Sequence, residues 1–155
     1  MASRKRRRIA APPAEAAAQT WYIETSALKA AFLEADAEAQ EAIRRAGRRI
    51  TSSLTLTEAY RAVLRARLTG RLSAGQERGA IRGLQTFARR CELIAVSDEV
   101  LVRAGRPFPV EPIRTLDAIH LASVELLGEP PQLVTVVTRD ARVLNNARAM
   151  GFSVA

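Results

Sequence analysis

Short apolar runs alternate with longer helix-like segments along most of this chain, and that alternation is the feature that most restricts its fold. The clearest run is QLVTVVT at residues 132–138, which is rich in β-branched residues. WYI at 21–23, the residues around Ile50, and CELIAV at 91–96 are typical of further strands, and FSV at 152–154 of an edge strand. We therefore predict an α/β fold of three layers, with a central parallel sheet of four to five strands and helices on both faces.

Capping and stop signals set the bounds of the helices between these strands. Ser73 followed by Gln76 predicts a capping box, Ser97 predicts another N-cap, and Gly151 fits the left-handed position after the last helix. The predicted helices are Ser26–Leu33, Ala37–Ala46, Thr55–Thr69, Ser73–Arg90, Asp98–Ala104, Thr115–Leu127 and Asp140–Met150.

Length and composition indicate one domain with a sizeable core. The chain has 155 residues, of which 48% are hydrophobic. No apolar run approaches the roughly 18 residues of a membrane span, and the N-terminus lacks the apolar segment of a secretory signal. Cys91 is the only cysteine, so an internal disulfide is excluded. We expect a cytoplasmic protein with no membrane association.

The charge of the chain is strongly positive, with a formal net charge of +8. Residues 4–8 supply five positive charges, and residues 1–19 are otherwise rich in alanine and proline. We expect these residues to form a basic disordered arm, solvated or bound to phosphates, and residues 20–155 to form the folded domain. A basic surface favours polyanionic partners such as RNA.

Four acids fall near the ends of the predicted strands, where parallel sheets bind their ligands. Glu24 ends strand one, Glu58 and Asp117 lie in first helical turns, and Asp140 follows strand four. Each also has an ordinary explanation: Glu58 completes a capping box with Thr55, Asp117 suits a helix dipole, Asp140 suits an N-cap, and Glu24 suits a solvated loop. Four carboxylates at one edge repel each other, however, and a divalent cation such as Mg²⁺ or Mn²⁺ would relieve that repulsion.

Other common site types lack their residues. A single histidine and a single cysteine exclude a Cys/His zinc site, and no Ser-His-Asp arrangement, G-x-G-x-x-G or P-loop is evident. His120, the one histidine, is predicted near Asp117 on the same helix, either packed structurally or placed for proton transfer. Arg103 and Arg106, before a proline-rich loop, are either solvated or contacts for RNA phosphates.

Four segments together resemble the PIN-domain family, and within it the VapC-type toxins of bacterial toxin–antitoxin pairs. They are WYIETSALKAAF, ITSSLTLTEAYRAVLRA, IRTLDAIHLASVELL and VVTRDARVLNNARAMGFSV, and they occur in the family's order between about Tyr22 and Val154. At the first acidic position the family pattern has an aspartate, whereas this chain has Glu24, which keeps the charge and adds one methylene.

The resemblance implies a metal-dependent endoribonuclease that hydrolyses RNA phosphodiester bonds. Glu24, Asp117 and Asp140 would hold Mg²⁺ or Mn²⁺, with Glu58 as a fourth catalytic acid and Ser26 and Thr138 as supporting hydroxyls. It also implies a homodimer and a cognate antitoxin that covers the acidic pocket. The alternative, favoured only by the Glu24 departure, is a catalytically weak PIN domain that binds RNA or protein without cutting.

Overall fold

The computed structural model describes residues 19–45 and 47–155 of the chain. Nearly all of the predicted basic arm, and Ala46 at the end of one predicted helix, therefore lie outside the described residues. Within the described ranges, none of the helices combines the length and the apolar character that a bilayer crossing requires.

Five parallel strands form a single sheet, as predicted. They are β1 (Thr20–Ile23), β2 (Arg48–Ser52), β3 (Glu92–Ile94), β4 (Val134–Val137) and β5 (Ser153–Val154). Their spatial order is β3-β2-β1-β4-β5, with β1 in the centre. In the register of that centre Tyr22 stands between Ile50 of β2 and Val136 of β4. The chain therefore reverses its direction of travel across the sheet at the β1–β4 boundary, which is where sheets of this kind open a crevice for ligands.

Seven α-helices cover the two faces of the sheet in the described part of the chain. They are α1 (Thr25–Leu33), α2 (Ala37–Ala42), α3 (Ser53–Leu68), α4 (Ala74–Ala88), α5 (Asp98–Ala104), α6 (Thr115–Glu125) and α7 (Ala141–Ala149), and a 3₁₀ turn at Pro131–Leu133 precedes β4. The capping box of Ser73 with Gln76 and the N-cap at Ser97 are confirmed. Gly151 has a φ of 89°, which confirms the left-handed position after α7.

Two hydrophobic cores form because successive strand residues point to opposite faces. Trp21 and Ile23 of β1 pack against α1, α2, α3 and α4, whereas Tyr22 between them packs against α5, α6 and α7. The three-layer α/β prediction is confirmed by this arrangement.

Most helix boundaries lie within one or two residues of the predictions, and the differences in α2 and α3 bear on the site. The predicted Ala37–Ala46 helix ends at Ala42; Ile43 and Arg44 form a turn, and Gly47, with a φ of 126°, then leads into β2. Helix α3 begins at Ser53, two residues early, because the Ser52 hydroxyl accepts a hydrogen bond from the Leu54 amide and caps the helix. The expected capping box between Thr55 and Glu58 is therefore wrong, and the Glu58 side chain is available for other contacts.

Leu84 of α4 tests the core on the α1–α4 face. Its side chain is 1% exposed, whereas Leu68 at the end of α3 is 77% exposed. We expect Leu84→Ala to lower the free energy of unfolding by about 2–5 kcal/mol, since it leaves a cavity in a packed core. The matched Leu68→Ala variant should change that free energy by less than about 0.5 kcal/mol. Urea titration followed by circular dichroism measures both, and equal losses in the two variants would contradict the assigned packing.

Candidate active site

An open cavity of about 490 Å³ lies at the carboxyl edge of the sheet, and its walls bring together the four acids singled out from the sequence. Glu24 comes from the end of β1, Glu58 from α3, Asp117 from α6 and Asp140 from the end of the β4 loop. The acids thus come from both helical layers and meet beside the β1–β4 boundary.

Glu24 is held firmly and is almost inaccessible to solvent. It is 4% exposed and serves as the N-cap of α1, which excludes the solvated-loop explanation. Its Oε2 accepts hydrogen bonds from the Ser26 amide at 3.0 Å, from the Ser26 hydroxyl, and from the Thr138 hydroxyl at 2.9 Å. Its Oε1 lies 3.8 Å from Nε2 of His120. One carboxylate oxygen is therefore fixed by three donors, and the second remains for another ligand.

Ser26 and Thr138 tie the loop of Asp140 to the end of β1. The Asp140 amide donates to both hydroxyls, at 3.1 Å each, and the Arg139 amide donates to Ser26 Oγ at 2.7 Å. Asp140 in turn caps α7, since its Oδ1 accepts from the Arg142 amide at 2.8 Å. The two hydroxyls thus contact the Glu24 carboxylate and also the backbone amide of Asp140.

Glu58 is fixed by two donors from outside its own helix. Its Oε2 accepts a hydrogen bond from the Thr25 hydroxyl at 2.6 Å and lies 2.7 Å from Nε2 of His120. Burial acts to raise the pKa of Glu58, but the hydrogen bonds from His120 and Thr25 outweigh it and lower the pKa below its usual range. Glu58 is therefore an ionised carboxylate at neutral pH.

His120 links Glu58 to a tyrosine in the core. The imidazole is 1% exposed, and its Nδ1 lies 3.1 Å from the Tyr22 hydroxyl. Burial, with a further contribution from Glu24, raises the pKa of Tyr22 well above its usual range, so the phenol keeps its proton. The neutral tautomer that satisfies both contacts has Tyr22 donating to Nδ1 and Nε2–H donating to Glu58.

Asp117 has the least compensated charge among the four acids. It lies in the first turn of α6, and its Oδ2 is buried without a hydrogen-bond partner in the described residues. Burial, then the charges of Asp140 and Glu24, raise the pKa of the Asp117 carboxyl. A buried carboxylate oxygen without a donor needs a cation or a proton.

Basic side chains surround this acidic centre. They are Lys29 of α1, Arg61 and Arg65 of α3, and Arg114 before α6. Arg61 and Arg65 follow Glu58 at intervals of three and seven residues, which places all three side chains on one face of α3. The cavity thus combines a negative centre with a positive rim, an arrangement suited to a cation within and a polyanion across the opening.

The donor chemistry of the cavity suits a hard divalent cation, because carboxylate oxygens are its preferred ligands. The unpartnered Asp117 Oδ2 and the second oxygen of Glu24 are available for that purpose. As they stand, however, no group of three or more His, Cys, Asp or Glu side chains in residues 19–45 and 47–155 is arranged to hold a metal ion. The acids share a cavity without forming a closed coordination shell.

Sequence reasoning missed three parts of this site. It placed His120 near Asp117, whereas the hydrogen bond of the imidazole goes to Glu58 across two helices. It gave Thr25 no role, and it did not identify the basic rim, although the spacing of Arg61 and Arg65 from Glu58 carried that signal. Arg103, expected to be solvated or to contact phosphates, instead pairs with Glu125 and lies over the ring of Phe108 at 4.1 Å.

Comparison with known proteins identifies the family of the chain. The family model of the PIN domain matches residues 21–149. Ribonuclease VapC46 of Mycobacterium tuberculosis is 35% identical over 135 residues, covering 86% of this chain and 94% of that protein. Ribonuclease VapC35 of the same species is 32% identical over 137 residues, covering 86% and 93%.

Solved structures share the fold at lower identity. VapC20 of M. tuberculosis, described as a toxin that cleaves the sarcin-ricin loop, superposes with a TM-score of 0.61 at 16% identity, covering 85% of this chain and 95% of that one. A chain of the VapBC2 complex of Rickettsia felis, bound to promoter DNA, gives 0.59 at 15% identity, covering 88% and 97%. With a family match over most of its length and relatives above 30% identity, the chain belongs to the PIN-domain family and, within it, to the VapC ribonucleases.

Proposed function

We propose that this chain is a divalent-metal-dependent endoribonuclease and the toxin of a toxin–antitoxin pair. The observation that carries the proposal is the meeting of four acids in one cavity with a basic rim, in a chain related to VapC ribonucleases. These relatives are ribonucleases, and the charge pattern of the cavity suits an RNA backbone that crosses it.

Glu24, Asp117 and Asp140 are the residues we assign to the cation, which is Mg²⁺ or Mn²⁺. Asp117 contributes an oxygen that has no other partner in the described residues, and Glu24 contributes the oxygen that Ser26 and Thr138 do not engage. When bound, the cation supplies a Lewis acid for the phosphate oxygens and lowers the pKa of nearby water.

Glu58 is suited to orient the attacking water. Its carboxylate is ionised and is held on one oxygen by Thr25 and His120, which leaves the other oxygen for a water. Lys29, Arg61, Arg65 and Arg114 line the same cavity, and we assign them to the phosphates of the RNA.

A cognate antitoxin and a second copy of the chain are the partners we propose. The structural neighbours include toxin–antitoxin complexes, among them those of R. felis and Klebsiella pneumoniae. An arginine from an antitoxin segment would meet the uncompensated charge of Asp117 and compete with the cation.

A catalytically weak PIN domain that binds without cutting is the second candidate. One observation favours it, the departure of Glu24 from the family aspartate. RNA cleavage assayed with and without Mn²⁺ separates the two candidates, since only the enzyme produces new RNA ends in the presence of the ion.

Asp117→Asn tests both the metal site and the destabilisation of the metal-free fold by the Asp117 charge. We expect cleavage to fall more than about a hundredfold. Losing a residue that only hydrogen-bonds to a metal ligand typically costs about ten- to a hundredfold, and losing the ligand itself should cost more. The metal-free variant should unfold at a higher temperature than the parent near pH 7. A carboxyl whose pKa is raised in the folded state destabilises the fold when ionised, and the amide removes that charge.

Asp98→Asn is the matched control for this variant. Asp98 also lies in the first turn of a helix but outside the cavity, so cleavage should be unchanged. Single-turnover kinetics with Mn²⁺ measure the cleavage rate. Differential scanning calorimetry in EDTA measures the unfolding temperature of the metal-free protein. An Asp117→Asn protein that cleaves RNA at the rate of the parent with Mn²⁺ would refute the site assignment.

Glu24 should form a working but imperfect ligand. Its longer side chain displaces the carboxylate by roughly 1.5 Å from the position of an aspartate, and Mg²⁺ needs near-ideal octahedral oxygens at about 2.0–2.1 Å. We expect Mn²⁺ to support faster cleavage than Mg²⁺, Glu24→Asp to keep or raise the rate, and Glu24→Gln to lower it sharply. Metal-titrated cleavage rates of the three proteins measure this, and a Glu24→Gln rate equal to that of the parent would show that the other three acids suffice.

His120 should act through Glu58 and not through contact with RNA. We expect His120→Leu to lower kcat by about ten- to a hundredfold with little change in KM, because it leaves Glu58 without its Nε2–H donor. His120→Gln, which retains an N–H donor of similar reach, should recover part of that loss. If circular dichroism shows that both variants are folded and their kcat values are equal, His120 has only a packing role.

A further inference from the structure

A second cavity of about 550 Å³ lies apart from the cavity that contains the four acids, and the two share no lining residue. It is built from the C-terminal part of α1, from α2 and the turn after it, from the start of β2, and from the C-terminal half of α4. Its volume falls within the range of roughly 300–1,000 Å³ that is usual for small-molecule sites.

Four arginines line this cavity, and no acidic residue does. They are Arg44, Arg49, Arg82 and Arg90. In the described ranges none of the four takes part in an ion pair, whereas Arg48, Arg67 and Arg139 elsewhere in the domain each pair with a carboxylate. The fold therefore concentrates positive charge here without a partner, and an anionic ligand would relieve the repulsion.

The Arg49 guanidinium has a buried N–H donor for which the described residues provide no acceptor. Its Nη1 donates to the Ile43 carbonyl at 3.2 Å, which fixes the guanidinium, but its Nε is buried with no hydrogen-bond partner in the described part of the chain. A buried guanidinium N–H without an acceptor is costly, and a phosphate oxygen is a strong partner for it.

The remaining wall of the cavity is apolar and aromatic. Phe32, Ile43 and Phe87 contribute to it. Gly83 of α4 allows this packing, because a Cβ at that position would lie 2.7 Å from a ring carbon of Phe32. The cavity thus presents charged donors beside an apolar surface, and a ligand that carries both phosphate and a planar ring satisfies both.

We propose that this cavity binds a nucleotide, with its phosphates on the arginines and its base against the apolar wall. Two sources share this chemistry, a free mononucleotide and a nucleotide within an RNA strand. No carboxylate lines the cavity, so it lacks the residues that we assign to the cation of the cleavage centre. The site is therefore separate from the proposed cleavage centre and does not depend on its activity.

The test is calorimetric titration of the full chain in EDTA, with ATP and with a 2′-O-methyl RNA oligomer as the two ligands. The double variant Arg82→Gln/Arg90→Gln removes two exposed charges from the cavity, and Arg49→Lys keeps the charge but removes the Nε donor. The matched control is Arg71→Gln/Arg78→Gln, which has the same change of charge near and on α4 but outside both cavities.

We expect ATP to bind the parent and the control double variant equally, and to bind the other two variants about tenfold or more weakly. Asp117→Asn should leave ATP binding unchanged. If the oligomer also loses affinity in the cavity variants and ATP displaces it, the natural source is an RNA strand; if only ATP is affected, the source is a free nucleotide.

Three outcomes would overturn the proposal. They are equal losses in the cavity and control variants, no ATP or oligomer binding at millimolar concentration, and binding of a polyglutamate peptide at least as tight as that of ATP. Thermal unfolding of each variant without ligand, and the increase in unfolding temperature on adding ATP, separate lost binding from lost folding.

Discussion

The hydrogen bonds that hold Glu24 are the contacts on which the rest of the acidic cavity depends. Ser26 lies on α1 and Thr138 lies at the end of β4, and both donate to the same carboxylate oxygen. These bonds cap a helix, join the two central strands at their carboxyl ends, and fix the backbone of Asp140 through the same two hydroxyls. One buried carboxylate therefore sets the position of two acids at the point where the strand order reverses.

The distribution of charge in this domain is as informative as its fold. Three conditions coexist within a single small domain: acids with an oxygen that lacks a donor, a basic rim around them, and a separate cavity that contains only arginines among its charged residues. Each concentration of like charge destabilises the folded chain, so each is best understood as a place where a ligand of opposite charge binds.

The sequence predicts the layers and the location of the site better than it predicts the partners of each side chain. Five strands and their parallel arrangement follow from apolar runs such as residues 134–137, and four acids at strand ends follow from the order of elements. The start of α3 does not follow, because Ser52 and Thr55 are both acceptable caps and only the end of β2 decides between them. That difference of two residues removes the capping-box explanation of Glu58 and leaves its predicted role as a site residue.

Contacts across the sheet carry no periodic signal, which is why the role of His120 was not evident from its spacing. On α6 alone the imidazole is a neighbour of Asp117, yet its hydrogen bonds go to α3 and to β1. These contacts exist because α3 and α6 approach the carboxyl edge of the sheet from the two layers. Only the packing of the layers brings Glu58 within 2.7 Å of the histidine.

The length of Glu24 is consistent with this same network. An N-cap aspartate commonly reaches the amide of the second or third helical residue, as Asp140 does on α7 with both. Glu24 reaches the second residue, Ser26, and then the Ser26 and Thr138 hydroxyls hold the same oxygen in place. The extra methylene is therefore accommodated by two hydroxyl donors that restrain a longer and more flexible side chain. A glutamate can occupy this position because both hydroxyls are present. Removing either hydroxyl would free the Glu24 carboxylate to move, and the site depends on a fixed carboxylate there.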